Sequence, residues 1–334
     1  MNIYDIAEKC GVSIATVSRV LNNSPRVSEK TRNKILSVMK NEGYVPNAFA
    51  RGLGLDSMRM IGVMCTDITD PFYANAVGNI ERLFKRQNKD IVLCCTGNEL
   101  ADKKKSLSYM VDRRVDAVVL IGSAFKEETD NSHIRRAAES IPVIIINGYI
   151  DLPYVYCVVC DERGAVRENV AALVNEGYNK ILYLYDASTY SGNEKLSGYK
   201  EGCRLCGLSA EDILSVRVAH SVKAVEEKIN ELIALGTEFN SVMASEDILA
   251  AAALNTLRKN GKKIPVIGFN NSAIAECTNP SLTSVDNMAE AMCETAVRLL
   301  DDMAEQKNVP SKTVISARLI ERESYKKNRR GQKL

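Results

Sequence analysis

From residue 59 onward the chain repeats one pattern, a short unbroken apolar run followed by a stretch of helical length. Met60-Ile61-Gly62-Val63-Met64, Ile91-Val92-Leu93-Cys94, Ala117-Val118-Val119-Leu120-Ile121 and Val143-Ile144-Ile145-Ile146 are the first four runs. A strand that is apolar at consecutive positions has no face to show to water, so it belongs in a parallel sheet covered on both sides. The stretches near 73–87, 102–113 and 131–139 supply the covering helices. After Asp151-Leu152-Pro153 the alternation restarts, with strands expected at 155–160, 180–185, 241–244 and 265–269. Its helices are expected near 162–176, 194–206, 222–235 and 246–260. A last helix, about 287–305, precedes a strand at 313–320. The pattern predicts two similar doubly wound α/β lobes. Lobe one comprises 58–155 and 287–322, lobe two 156–286, and the chain returns to the first lobe near its end.

The 334 residues allow two or three domains at roughly 150 residues each. The net charge of +2 hides an asymmetry. Residues 1–51 carry eight Lys/Arg against four Asp/Glu, whereas residues 52–317 carry 29 against 36. A basic head on a mildly acidic body suggests a head that meets phosphate. No run approaches the ~20 apolar residues of a membrane span, and Met-Asn-Ile-Tyr-Asp does not read as a secretory signal. A cytoplasmic protein with its ten cysteines reduced, and no membrane partner, is therefore expected.

The composition also disfavours catalysis. The only histidines are His133 and His220, and neither lies in a recognisable catalytic context. No Gly-x-Gly-x-x-Gly follows a strand and no Walker loop is present. Cys157-Val-Val-Cys160 and Cys203-Arg-Leu-Cys206 look like halves of a zinc site. The first pair, however, lies in a strand, where residues three apart face opposite sides. Buried thiols are expected, with no metal and no cofactor.

Before residue 45 the periodicity is that of short helices. Ala7, Gly11, Val17 and Val20 fall at helix-turn-helix spacing. Ala7 permits close approach of two helices, Gly11 allows a left-handed turn, and Val17, Val20 and Leu21 face inward. Ser13 is placed to cap the second helix and Ser28 the third. Helix two then presents Ile14, Ala15, Thr16, Ser18 and Arg19 outward. Three helices in ~45 residues make a small core, as suits a DNA-reading module joined to a larger body. Tyr44 to Ser57, with Pro46, Gly52 and Gly54, is the best linker candidate.

The segments Thr16-Val17-Ser18-Arg19-Val20-Leu21-Asn22, Gly43-Tyr44-Val45-Pro46-Asn47 and Ala50-Arg51 with Leu53 resemble the lactose/galactose repressor (LacI/GalR) family of transcriptional regulators. So do Asp70-Pro71-Phe72-Tyr73, Glu176-Gly177-Tyr178, Ile264-Pro265-Val266-Ile267-Gly268-Phe269 and Pro280-Ser281-Leu282-Thr283, in family order along the whole chain. The resemblance implies a head over 1–45, a hinge helix over 46–57 that forms on DNA, and a body similar to periplasmic sugar-binding proteins, ending in a basic tail over 323–334. Ile14, Ala15 and Arg19 would meet base edges, and Ser13, Thr16 and Ser18 phosphates, with Asn22 and Arg26 beside them. Leu53 would wedge into the minor groove, with Asn47, Ala50 and Arg51 along the groove or the backbone.

The implied partners are double-stranded DNA bearing a near-palindromic operator, a second copy of the chain as a homodimer, and a sugar or sugar-like effector between the lobes. The other reading of the body is a soluble small-molecule binding protein without DNA function. Phe72, Tyr73, Thr189, Ser191, Lys195, Asp247 and Asn270 are the candidate effector residues. Sugar-binding members usually carry Arg where Lys195 stands and Asp where Asn270 stands. These departures predict a less acidic cleft and a ligand with negative charge.

Overall fold

The computed structural model describes residues 3–21, 26–42 and 59–327. The head begins with helices α1 (Ile3–Cys10), α2 (Ile14–Leu21) and α3 (Glu29–Asn41). Gly11 sits at φ +62°, the left-handed conformation that lets α1 stop and α2 start within three residues. Ser13 accepts from the backbone N–H of Thr16 at 3.2 Å and Ser28 from that of Thr31 at 3.3 Å, so both expected caps form. Ile6, Ala7 and Cys10 of α1, Val17 and Val20 of α2, and Ile35 and Met39 of α3 bury one shared core. Asn22, the whole segment 46–57 with Asn47, Ala50, Arg51 and Leu53, and the side chains of Ile14, Ala15, Ser18 and Leu21 lie outside the described residues.

The first lobe is built on β1 (Met60–Cys65), β2 (Asp90–Cys95), β3 (Ala117–Ile121), β4 (Val143–Ile146), β5 (Val155–Cys160) and β11 (Lys312–Ile315). They form an all-parallel sheet in the order β11-β5-β4-β3-β1-β2. Alternate residues serve alternate faces. Ile61, Val63, Ala117, Val119 and Ile121 pack under α4 (Pro71–Arg86) and α12 (Ala289–Ala304). Met64, Val118 and Leu120 pack under α5 (Leu100–Asp112) and α6 (Ser132–Ala138). Cys157 and Cys160 fall in those two separate clusters, on opposite faces.

The second sheet holds β6 (Ile181–Tyr185), β7 (Leu214–Arg217), β8 (Ser241–Ala244), β9 (Val266–Phe269), β10 (Thr283–Asp286) and β12 (Arg318–Ile320), in the order β12-β10-β9-β8-β6-β7. Only β12 runs antiparallel to its neighbour. One face is covered by α7 (Glu162–Asn175) and α8 (Tyr190–Leu205), the other by α9 (Val222–Ala234) and α10 (Asp247–Lys259). A short α11 (Ala273–Cys277) closes the end of β9.

Three expectations change. The strand 155–160, assigned above to the second lobe, pairs with β4 and β11 and belongs to the first sheet. The run 313–320 is two strands, because the chain crosses between lobes at Ser316-Ala317, so residues 318–322 leave lobe one for lobe two. The start of the expected basic tail is not a tail. Tyr325 is buried and its hydroxyl donates to Glu176 at 3.1 Å, while Ser324 donates to the carbonyl of Val266 at 2.6 Å. Residues 328–334 lie outside the described residues.

Helices α7 and α8 touch through glycine. A methyl on Gly198 would collide with the carbonyl oxygen of Arg163, and one on Gly202 would lie 2.9 Å from Cβ of Val170. Gly78, exposed in the middle of α4, has open space where its Cβ would stand. Gly198→Ala should therefore lower the free energy of unfolding by about 1–3 kcal/mol through overpacking. Gly78→Ala should raise it by up to about 1 kcal/mol through helix propensity. Denaturant unfolding of the two variants checks both signs.

Candidate functional sites in the head and the cleft

In the head, Arg19 is exposed in the last turn of α2. Thr16 is half-buried, its hydroxyl 2.9 Å from that of Ser13, so the two form one polar edge at the start of α2. Arg26, Lys30 and Lys34 are also exposed. Lys9 is held by Glu42 at 2.6 Å, which ties the end of α1 to the end of α3. The guanidinium of Arg32 reaches the carbonyl of Val20 at 3.5 Å, so α3 braces the C-terminal end of α2.

In the body, each sheet has a point where the strand order reverses, at β1 and β3 in lobe one and at β6 and β8 in lobe two. Loops leaving such strands diverge to opposite faces and open a crevice at their C-terminal ends. The cleft lies there, with about 630 Å³ of space open to solvent. Asp70, Phe72 and Tyr73 follow β1; Gly122 and Ser123 follow β3; Asn147 follows β4. From lobe two, Asp186 and Thr189 follow β6, Ser191 and Lys195 lie on α8, Ser245 and Glu246 follow β8, and Asn270 follows β9. His220 stands at the exposed edge.

Local sequence explains the presentation. Asp70 caps α4 by accepting from the N–H of Phe72 at 2.8 Å, which turns the Phe72 and Tyr73 rings, 5.5 Å apart and edge to face, toward the cleft. Thr189 caps α8 by accepting from the N–H of Gly192 at 3.3 Å. The helix thus begins at Tyr190, earlier than the expected 194, and its first two turns bring Ser191 and Lys195 to the cleft floor.

Lys195 is 2 % exposed. Its ammonium donates to the carbonyl of Ser245 at 3.0 Å and to Glu246 at 3.3 Å. It lies 3.6 Å from Glu162 and 4.2 Å from the Phe269 ring centroid. Burial pulls its pKa down, but Glu246, Glu162 and Asp186 together outweigh that and hold it above the ordinary lysine value. Glu246 is pushed up to about 8 by burial, with Asp186, Asp70 and Glu162 adding repulsion against the opposing pull of Lys195. Asp186 is pushed up by burial too, yet hydrogen bonds from His220, at 2.6 Å, and Ser245, at 3.1 Å, bring its carboxyl below the usual range. That bond to Asp186 in turn raises the His220 imidazole.

Six of the seven expected effector residues, Phe72, Tyr73, Thr189, Ser191, Lys195 and Asn270, line the cleft, and Asp247 does not. Asp247 is buried beneath it, accepting from the N–H and hydroxyl of Ser272 at 2.6 and 2.8 Å and from the hydroxyl of Ser284 at 2.6 Å. It ties α10, α11 and β10 together. The lining carboxylate is its neighbour Glu246, which bonds the side-chain amide of Asn270. Sequence reasoning also missed Asp70, Asn147, Asp186 and His220. The first three end strands or open the loops after them, the position that the doubly wound fold itself marks. The expectation of an anionic ligand rested on Lys195 and Asn270 alone, and the rest of the lining adds carboxyl groups. Among the described residues Lys195 is the only Lys or Arg that lines the cleft, and it faces Asp70, Asp186 and Glu246.

The raised Glu246 has a signed consequence. Between its ordinary value near 4.5 and about 8 the folded state holds a proton that the unfolded state has released, so stability falls as pH rises through that window. His220, also raised, adds in the same direction from its ordinary value near 6.5 upward. Glu246→Gln should shrink the drop in Tm between pH 5 and pH 8.5. Melting curves at the two pH values measure it, and an unchanged drop would remove Glu246 as its source.

Two family models match the chain. Residues 2–47 match "Bacterial regulatory proteins, lacI family" and residues 170–325 match a periplasmic binding protein-like domain. An HTH-type transcriptional regulator of Lachnoclostridium phytofermentans is 43% identical over 97% of this chain and 99% of its own length. A solved complex of the regulator CelR with cellobiose superposes with a TM-score of 0.71 at 25% identity, covering 97% of this chain and all of that one. The lac repressor dimer bound to operator and an anti-inducer gives a TM-score of 0.85 at 21% identity over 97% and 98% of the two chains, a likeness of fold. The chain belongs to the lacI family of bacterial regulatory proteins, DNA-binding transcription regulators that join a helix-turn-helix head to a periplasmic-binding-protein-like body.

Proposed function

We propose that this protein is a cytoplasmic, homodimeric repressor that acts by binding and not by catalysis. Each head reads one half of a near-palindromic operator through α2. A sugar-like effector taken up between the lobes changes that affinity. The observation that carries the reading is the union, on one chain, of a capped α2 with exposed Arg19 and a cleft lined by both lobes. The cellobiose bound by CelR supports a sugar-like occupant.

The mechanism follows from where the groups sit. Arg19 can bond a guanine edge bidentately, while Ser13 and Thr16 bond phosphate and fix the register. The cleft joins loops of two lobes that are connected at 160–162, 286–289 and 315–318. A ligand touching Tyr73 of one lobe and Lys195 of the other favours the closed arrangement. It changes DNA affinity only by its differential affinity for the two arrangements. The segment 46–57 carries the change to the DNA, with Leu53 wedged in the minor groove.

A gel shift with the protein's own upstream DNA tests the head. Binding should weaken steeply with salt. Arg19→Ala should relax preference at one position per half-site by about 1–3 kcal/mol. Leu53→Ala should weaken operator binding while the body melts unchanged. Equal affinity for scrambled DNA would reject the reading. In a reporter strain, Tyr73→Ala and Asn270→Ala should keep DNA binding and lose the response to the inducing growth substrate.

A further inference from the structure

The charge in the cleft does not balance, and the imbalance selects the ligand. The ammonium of Lys195 has three N–H donors, and Ser245, Glu246 and Glu162 surround it at 3.0, 3.3 and 3.6 Å, with the Phe269 ring against it. Little of it remains to clamp a phosphate or carboxylate. His220 is likewise engaged by Asp186. Against these two cationic groups stand Asp70 from lobe one, Asp186 on the far wall and Glu162 behind Lys195, while Glu246 beside them holds a proton up to about pH 8. Asp70 of lobe one and Asp186 of lobe two face the same open space, and both act against ionisation of Glu246. Closing the lobes on a neutral molecule brings those like charges together in a drier site, where repulsion grows. An anion adds to it. A cation seated between them converts the repulsion into attraction.

The rest of the wall describes the remainder of that molecule. Phe72 and Tyr73 offer an aromatic surface to a C–H face, and Ser123, Ser191 and Asn270 offer hydrogen bonds to hydroxyls. Among the described residues no three Asp, Glu, His or Cys groups are arranged to hold a metal ion, so an organic cation fits these walls. We propose that the effector is a small polyhydroxylated molecule bearing an ammonium group, an amino sugar or related aminopolyol. Its nitrogen sits between Asp70 of lobe one and the Asp186–Glu246 wall of lobe two. This rests on the cleft being the effector site, and it replaces the anionic ligand expected from Lys195 and Asn270 alone.

The test uses the full chain at pH 6.5, by thermal shift and isothermal titration. The probes are glucosamine, galactosamine and mannosamine, each beside its N-acetyl form and its parent hexose, with glucose 6-phosphate and glucuronate as anions. At least one amine should bind ten times more tightly than its N-acetyl and hexose partners and alter the gel shift, and the anions should bind most weakly. Asp70→Asn, whose side-chain oxygen can still cap α4, should still bind that amine but reduce its advantage to less than threefold. A neutral sugar or an anion that binds as tightly as every amine and alters the gel shift overturns the inference and leaves the effector reading standing. Absence of binding by all three amines also overturns it. The effector reading is then judged by the reporter response of the Tyr73 and Asn270 variants.

Discussion

A parallel sheet buried on both faces sends every strand end of one polarity to a single edge, and that constraint organises the body. In each lobe the loops that carry chemistry leave the C-terminal ends of the strands. The chain passes between lobes three times, after β5, after β10 and after β11. These short crossings hold the two loop-bearing edges against each other. The cleft is therefore a consequence of the topology, and its residues can come from loops far apart in sequence. Asp70 and Glu246 are an example.

Within that frame the buried polar groups do two separate jobs. Asp247 accepts from Ser272 and Ser284 and fixes the floor. Lys195, Glu162 and Glu246 form a network at the surface of the cavity, where a buried charge is tolerated only with partners. Asn147 of lobe one donates to Glu162 at 3.3 Å, and Asn287, within the second crossing, donates to Asn270 at 2.9 Å. Polar contact thus links the lobes beside the ligand space, and any occupant that rearranges it acts on both lobes at once.

Much of this was legible in the sequence. The runs 117–121, 143–146, 155–160 and 241–244 are strands with those same bounds, because buried parallel strands write themselves as continuous apolar residues. β7 and β10 escaped notice for the opposite reason. Leu214-Ser-Val-Arg217 is a half-exposed edge strand. Thr283 and Ser284 are polar yet buried, their hydroxyls bonded to the carbonyl of Tyr325 and to Asp247. Phe72 and Tyr73 could be placed because they follow a clear strand. Glu246 lines the cleft and the expected Asp247 does not, because adjacent residues at a helix start point in different directions and only packing decides which meets the cleft. The charge of the cleft cannot be judged from two positions. It is the sum of loops that no local pattern brings together.

On the proposed reading the cleft and the head share one equilibrium. The direct measurement is the affinity of the cleft ligand for the full-length protein, free and bound to its operator, set beside the operator affinity with and without that ligand. If the two sites are coupled, both ratios are the same factor and differ clearly from one, as linkage requires. A ligand that fills the cleft with equal affinity in both states, leaving operator binding unchanged, would show that the two sites are uncoupled.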